Sequence, residues 1–193
     1  MKERSVIVIA GPAGSGKDTL AKALTAKYPR FTLMVTATTR EKRPYEADAV
    51  NYYFFDKKRF FEEVASGNIL EYYHRADTDT YYGTYKPDID RRIASGKIVI
   101  AVVQIVGAKY LKEHYGATTF FIMPPDAATL ERRIRTRAPM SDIEWKERLA
   151  FTEREVKDEA PWYDYRIRND DNALDESVAS VVEILRKEGY TLE

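Results

Sequence analysis

The sequence predicts an α/β fold in one domain: a parallel sheet covered by helices on both faces. Strand-like and helix-like patterns alternate along the chain, which is the βαβ rhythm of a parallel sheet. Three of the strand patterns are almost uniformly apolar, as strands buried on both faces must be. The first strand runs directly into a glycine-rich turn and then a helix. A length of 193 residues with 44% hydrophobic composition suits a single core of this kind.

Taken in order, the apolar run Val6-Ile7-Val8-Ile9-Ala10 marks a buried strand over 5–10. It feeds Gly11-Pro12-Ala13-Gly14-Ser15-Gly16-Lys17-Asp18-Thr19, and a helix is predicted over 17–27. Glycines at such a turn let successive backbone N–H groups converge on phosphate oxygens, and the helix N-terminus adds its positive dipole end. Gly11, Ala13, Gly14, Ser15 and Gly16 are therefore candidates to cradle a nucleoside triphosphate, with Lys17 reaching the β/γ-phosphates. The fold class is thus the P-loop NTPase three-layer sandwich. Where a Ser or Thr usually follows the lysine to meet Mg²⁺, this chain has Asp18, with a hydroxyl at Thr19. Asp18 is expected either to face the metal beside Thr19 or to turn away, capping the helix or pairing with a basic side chain.

Further strands are predicted over 32–37, 98–103, 118–123 and 165–168, and further helices over 107–114, 127–136 and 175–187. Two segments break the rhythm. Residues 38–96 carry short aromatic strands at 51–55 and 70–74, a short helix at 57–66 and many polar turns, which predicts an inserted subdomain on the nucleotide side of the sheet. Residues 137–148 are charged and poor in core side chains, as a helical lid would be. The core is then 1–37, 97–136 and 149–193.

Composition removes several function classes. Thirty-one basic and 31 acidic residues cancel, so no global field favours nucleic acid or a membrane surface, and a small ligand is expected. No cysteine is present for a disulfide framework or a thiolate metal site. The first strand follows too soon for a signal peptide, and no apolar stretch approaches a membrane span. A cytoplasmic enzyme, a monomer or weak homodimer, is expected. His74 and His114 have no partners at metal spacing, and Trp162, Tyr163 and Tyr165 are expected to be packing residues.

Other residues have chemistry of their own. Arg40 and Arg43 stand three apart beyond a strand end, and Tyr52 and Tyr82 offer phenolic donors; together they suit a monophosphate. Glu71 is suited to accept from two adjacent N–H groups, as guanine presents and adenine does not. Phosphoryl transfer needs positive charge around the migrating group, for which Arg133, Arg137 and Arg148 are candidates, whereas Arg132 and Arg135 read as a solvated helix face.

Thr36-Ala37-Thr38-Thr39-Arg40, Arg43, Glu46, Tyr52-Tyr53-Phe54, Leu70-Glu71-Tyr72 and Tyr81-Tyr82-Gly83-Thr84 resemble the acceptor-binding region of guanylate kinases. The likeness continues through the segment Leu130 to Arg137, Arg148 and Asn169-Asp170-Asp171, and so covers nearly the whole chain. It implies ATP as phosphoryl donor, Mg²⁺ and GMP as acceptor, and makes residues 38–96 the acceptor-binding subdomain. Arg40, Arg43, Tyr52 and Tyr82 would hold the acceptor phosphate, Glu71, Thr84 and Thr36 the base, and Asn169 the adenine of ATP.

There are departures. Lys42 replaces a usual proline, and Tyr45 and Ala49 replace usual glycines, so the loop after Arg40 is expected to take a different path. Val102 and Gln104 stand where the family places two acidic residues near metal and guanine. A Gly-Lys-Asp phosphate loop without that pair resembles ribose 1,5-bisphosphate kinases of phosphonate metabolism, although those generally lack the Arg43 and Glu71 equivalents. A guanylate-kinase-like interaction module without catalysis is a third reading; Lys17, Arg137 and Arg148 together speak against it.

Overall fold

The computed structural model describes residues 4–136 and 140–192. Its centre is a five-stranded, all-parallel sheet of β1 (Val6–Ala10), β2 (Phe31–Leu33), β7 (Ile98–Ala101), β8 (Thr118–Met123) and β9 (Tyr165–Arg168), in the order β2-β7-β1-β8-β9. Alternation along β1 divides the core into two layers. Ile7 and Ile9 pack with Leu20 and Leu24 of α1 (Lys17–Lys27) and with Val181 and Leu185 of α7 (Leu174–Lys187). Val6, Val8 and Ala10 face the opposite way, towards Ala108 and Leu111 of α4 (Ile105–Tyr115) and Ile89 of α3 (Lys86–Ala94). This is the predicted three-layer sandwich.

A second sheet, ordered β4-β3-β6-β5, is built from β3 (Ala37–Thr38), β4 (Tyr53–Phe54), β5 (Ile69–Arg75) and β6 (Thr80–Tyr85). It pairs antiparallel at β3/β6 and β5/β6 and parallel at β3/β4. Its small core gathers Ala37, Phe55 and Ile69 around Phe60 of α2 (Lys57–Ala65), which is fully buried. Truncating Phe60 to alanine would cost about 3–5 kcal/mol.

The strand expected over 32–37 is therefore two strands in two sheets, because the chain leaves the large sheet at Met34 and enters the small one at Ala37. Asp88, completely buried on α3, fixes this crossing. Its Oδ2 accepts the Val35 N–H at 2.9 Å and Arg92 Nε at 2.6 Å, while its Oδ1 accepts the Tyr53 hydroxyl at 2.9 Å and Arg91 Nη2 at 2.7 Å. Burial pushes this carboxyl up, but the Arg92 bond, the Val35 N–H, Arg91 and Tyr53 together hold it below the usual carboxylate range.

The strand expected over 98–103 ends at Ala101, and Val102 to Gln104 turn out of the sheet. Beyond α5 (Ala127–Arg135) the expected lid is, from Asp142 onward, the start of α6 (Asp142–Arg154). Ser141 and Glu144 close a reciprocal capping box at its N-terminus, and Trp145 packs it on Leu130 and Ile134 of α5. A π-helical turn (Glu155–Glu159) and a 3₁₀ turn (Ala160–Trp162) then lead into β9.

Candidate active site

The turn after β1 is a phosphate cradle by its backbone. Gly11 sits at φ 140°, and a Cβ there would meet the Ile122 carbonyl oxygen at 2.5 Å. Gly16, at φ 91°, opens α1, and its Cβ would meet Asn169 Nδ2 at 2.1 Å. No other residue type fits either position. Ser15 N–H closes the turn on the Pro12 carbonyl at 3.2 Å, whereas the N–H groups of Gly14, Gly16 and Lys17 have no acceptor among the described residues. The Ser15 hydroxyl is buried without a partner. Converging unpaired donors at a helix N-terminus are what phosphate oxygens require.

A cavity of about 430 Å³ lies between this cradle and the second sheet. It is lined by Gly11, Ala13 and Lys17 from the cradle and the start of α1, by Thr36, Tyr52, Glu71, Tyr82 and Thr84 from the second sheet and its flanks, and by Val102, Val103 and Gln104 from the turn after β7. Lys17 Nζ lies 3.4 Å from the Pro12 carbonyl oxygen and 3.9 Å from Asp18 Oδ2. On the second sheet Thr84 Oγ1 donates to Glu71 Oε1 at 2.6 Å. Burial pushes the Glu71 carboxyl up, opposed by the Thr84 bond. Gly107 makes the room, since a Cβ there would come within 2.9 Å of Glu71 Oε1.

The expected phosphate clamp divides into two tiers. The Tyr52 and Tyr82 rings meet edge to face at 5.9 Å and line the cavity. Burial, then Tyr82, raises the Tyr52 phenol, which keeps it a neutral donor. Arg40 lies behind them, its guanidinium 5.5 Å from the Tyr52 ring centre and held bidentately by Glu46 at 2.7 and 3.0 Å. That bond holds the Glu46 carboxyl below its ordinary range, with the Arg43 N–H adding to it. Arg43 itself is exposed and donates to the Tyr45 hydroxyl at 2.9 Å. Ala49 adopts φ 57°, so at this position the loop keeps the left-handed backbone that glycine favours instead of taking the different path expected.

Several candidates lie outside the cavity. Asp18 is exposed, and the N-cap position belongs to Gly16, which receives no side-chain bond. Thr19 borders a second, shallower recess together with Gly14, Gly16, Arg133 and Asn169. Asn169 is buried and donates to the Ser15 carbonyl at 2.9 Å, bracing the cradle from behind. Arg133 bonds the Gly14 carbonyl at 3.3 Å, the Asn169 carbonyl at 3.2 Å and Asp171 at 2.8 Å; the structure does not bring it to the large cavity. Arg132 and Arg135 are spent on surface carboxylates, as a solvated face would be. Arg148 does line the cavity, from α6. Arg137 lies outside the described residues.

Comparison with known proteins agrees with this geometry. The guanylate kinase family pattern matches residues 3–188. The chain belongs to the guanylate kinase family. It is 41% identical over 167 residues to a guanylate kinase of Thermosynechococcus vestitus, covering 86% of each chain, and 35% identical over 184 residues to one of Synechocystis sp., covering 95% of this chain and 94% of the other. The crystal structure of guanylate kinase from Anaplasma phagocytophilum superposes with a TM-score of 0.70 at 25% identity, covering 99% of this chain and 89% of that one.

In this member of the guanylate kinase family the cavity also has a wall that reading the sequence missed. Phe151, Thr152, Glu155, Glu159 and Tyr163 line it beside Arg148. Tyr163, expected to be a packing residue, is indeed 2% exposed, but its hydroxyl has no partner. The signal was present as helical spacing: positions 148, 151, 152, 155 and 159 share one face of a continuous helical path. A charged, weakly apolar segment does not announce which of its faces is the buried one.

Proposed function

We propose that this chain transfers the γ-phosphoryl group of ATP to GMP, giving ADP and GDP. The observation that carries the reading is that one cavity is lined both by the phosphate cradle with Lys17 and by a carboxylate, Glu71, fixed by Thr84. Glu71 accepts from guanine N1–H and N2–H, while Thr36 and Gln104 line the same cavity. Tyr52 and Tyr82 donate to the acceptor phosphate, with Arg40 and Arg43 supplying positive charge behind and above them.

An oxygen of that phosphate attacks the γ-phosphorus; the new O–P bond forms as the bond to the β-bridging oxygen breaks, and the electron pair leaves with ADP. The protein supplies no nucleophile. Lys17 and Arg148 neutralise charge on the oxygens of the migrating group in a site that closure shields from water. We further propose that residues 137–148, of which 137–139 lie outside the described residues, act as a lid over an acceptor subdomain at 38–96 and a core formed by the rest. Asn169, Arg133 and Thr19 border the recess on the other side of the cradle, where the adenosine of ATP would lie.

Mg²⁺ would add neutralising charge on the β- and γ-oxygens. Among the described residues no three carboxylates or histidines cluster to hold it. An exposed Asp18 beside Lys17 fits an ion held chiefly by substrate phosphates and one carboxylate. Small nucleotides are the partners, and the working form is a cytoplasmic monomer or weak homodimer. No helix among the described residues is long and apolar enough to cross a membrane.

An ADP-release assay over GMP, dGMP, AMP, ribose 1,5-bisphosphate and no acceptor tests the reading. GMP-dependent release is expected. Release with ribose 1,5-bisphosphate instead, or with no acceptor tested, overturns it.

A further inference from the structure

Glu155 is a half-buried acidic group in the cavity wall with no place in the scheme above. The π-turn that carries it follows α6 without a break, and it lines the same space as Lys17, Arg148, Glu159 and Tyr163. The charged and titratable groups around it come from every neighbouring element. Lys17 at the start of α1 and Arg148 of α6 attract its charge, and Glu159 on the same turn repels it. Tyr163, beyond the 3₁₀ turn, is influenced by both glutamates. Glu159 in turn faces Lys109 of α4 and Asp158. Burial, followed by Glu159, pushes the Glu155 carboxyl up to about 7 against the pull of the two cations.

Two cations, Lys17 and Arg148, and two carboxyls, Glu155 and Glu159, sharing a partly desolvated cavity form a unit whose balance changes when polyphosphate enters. Phosphate oxygens draw on the same Lys17 and Arg148 charges, and an ionised Glu155 beside them would repel the incoming anion. We propose that Glu155 is a positioning residue of the transfer site: between turnovers its carboxylate is the counter-charge that keeps Lys17 and Arg148 directed into the cavity, and it takes up one proton from solvent as nucleotide phosphates claim both cations. The unpaired Tyr163 hydroxyl is the nearby donor left for this carboxyl when the wall closes. The inference rests on the kinase reading only in requiring that a nucleotide polyphosphate enters this cavity.

Calorimetric titration with a non-hydrolysable ATP analogue and Mg²⁺ at pH 7, in two buffers of contrasting ionisation enthalpy, reads the proton directly. Wild type should take up about half a proton more than Glu155→Gln, because a group with a pKa near the working pH is half ionised before binding. From pH 6 to pH 8 the wild-type affinity should weaken roughly tenfold relative to the glutamine variant. In steady state Glu155→Gln should lower kcat without raising the KM for ATP, and Glu155→Asp should recover part of kcat. Equal proton balance and equal pH dependence in wild type and Glu155→Gln overturn the proposal. If the glutamine variant fails to fold, the wild-type titration decides alone: no uptake beyond the analogue's own ionisation overturns it. If the analogue does not bind at all, the kinase reading fails instead.

Discussion

The Thr84 hydroxyl donates to Oε1 of Glu71 at 2.6 Å, and this bond between neighbouring antiparallel strands sets the direction in which the carboxylate faces. It engages one oxygen and orients the other. Because Thr84 is buried, the orientation is held by the sheet and not by solvent.

Glu71→Gln should raise the KM for GMP sharply and narrow the preference over AMP. A site built to pair with two N–H groups can discriminate by roughly 10⁴-fold, because the wrong base leaves a buried charge unpaired. Burial raises the pKa of Glu71, so in wild type GMP binding should begin to weaken, as pH falls, above the ordinary carboxylate range, and Gln should remove that dependence. KM for both nucleotides against pH checks it; unchanged selectivity in the variant would exclude Glu71 as the guanine reader.

Lys17→Ala should lower kcat by roughly 10²–10³-fold or more, as loss of a positioned transition-state cation does, with an unaltered melting temperature. Lys17 makes one long bond, 3.4 Å, to the Pro12 carbonyl and packs into no core cluster. Near-normal turnover in a folded variant would sink the kinase assignment.

Asp18→Asn should raise the Mg²⁺ concentration needed for half-maximal rate and leave stability unchanged, since the side chain is 61% exposed and caps nothing. Activity titrated against Mg²⁺, beside a thermal melt, separates the two roles. A lower melting temperature with the same Mg²⁺ requirement would assign Asp18 to the helix instead.

Asp88→Ala should destabilise the fold by about 3 kcal/mol, the scale for removing one partner of a buried ionic network. Its folded pKa lies below the unfolded value of 3.8, so its contribution is fully present above that value and disappears as pH falls through the folded pKa. Denaturant unfolding at pH 7 and at pH 3 should therefore show the wild-type advantage over the alanine variant shrinking in acid. A constant difference would contradict the network.

Residues 142–152 of α6 should exchange amide hydrogens more slowly when a bisubstrate analogue is bound than without it, because closure brings Arg148 onto the phosphates. The N-terminal half of α7, packed on the far layer, serves as the control. Equal protection of α6 in both states would argue against a lid.

The parts legible in the sequence were those with a dense local signal. The uniform apolar run of β1 and the glycine spacing after it identified the large sheet and the cradle, and the aromatic runs at 51–55 and 70–74 marked β4 and β5 of the second sheet, whereas β6 went unread as a strand. What escaped depends on contacts distant in sequence. Nothing local shows that residues 32–37 leave one sheet for another, because the turn is fixed by Asp88 more than 50 positions away. Helix α3 hides behind a polar composition in which one of its two acidic residues, Asp88, is wholly buried. Arg133 has the same local surroundings as a cavity arginine, and only the approach of Asn169 and Asp171 draws it to the other side of the loop.

The crossing at Val35 has a consequence for how this architecture diversifies. The segment carrying the second sheet begins after β2 and returns through α3 to β7, and β2 and β7 are neighbours in register, Phe31 opposite Ile98. Its two ends are thus adjacent, and one carboxylate ties them together at 2.9 Å. Such a segment is a cassette: it can be exchanged whole, with the Asp88 tie retained, without moving a strand of the phosphate-binding core. Under the proposed function, grafting a related segment between Leu33 and Ile98 is the direct route to redirecting acceptor preference.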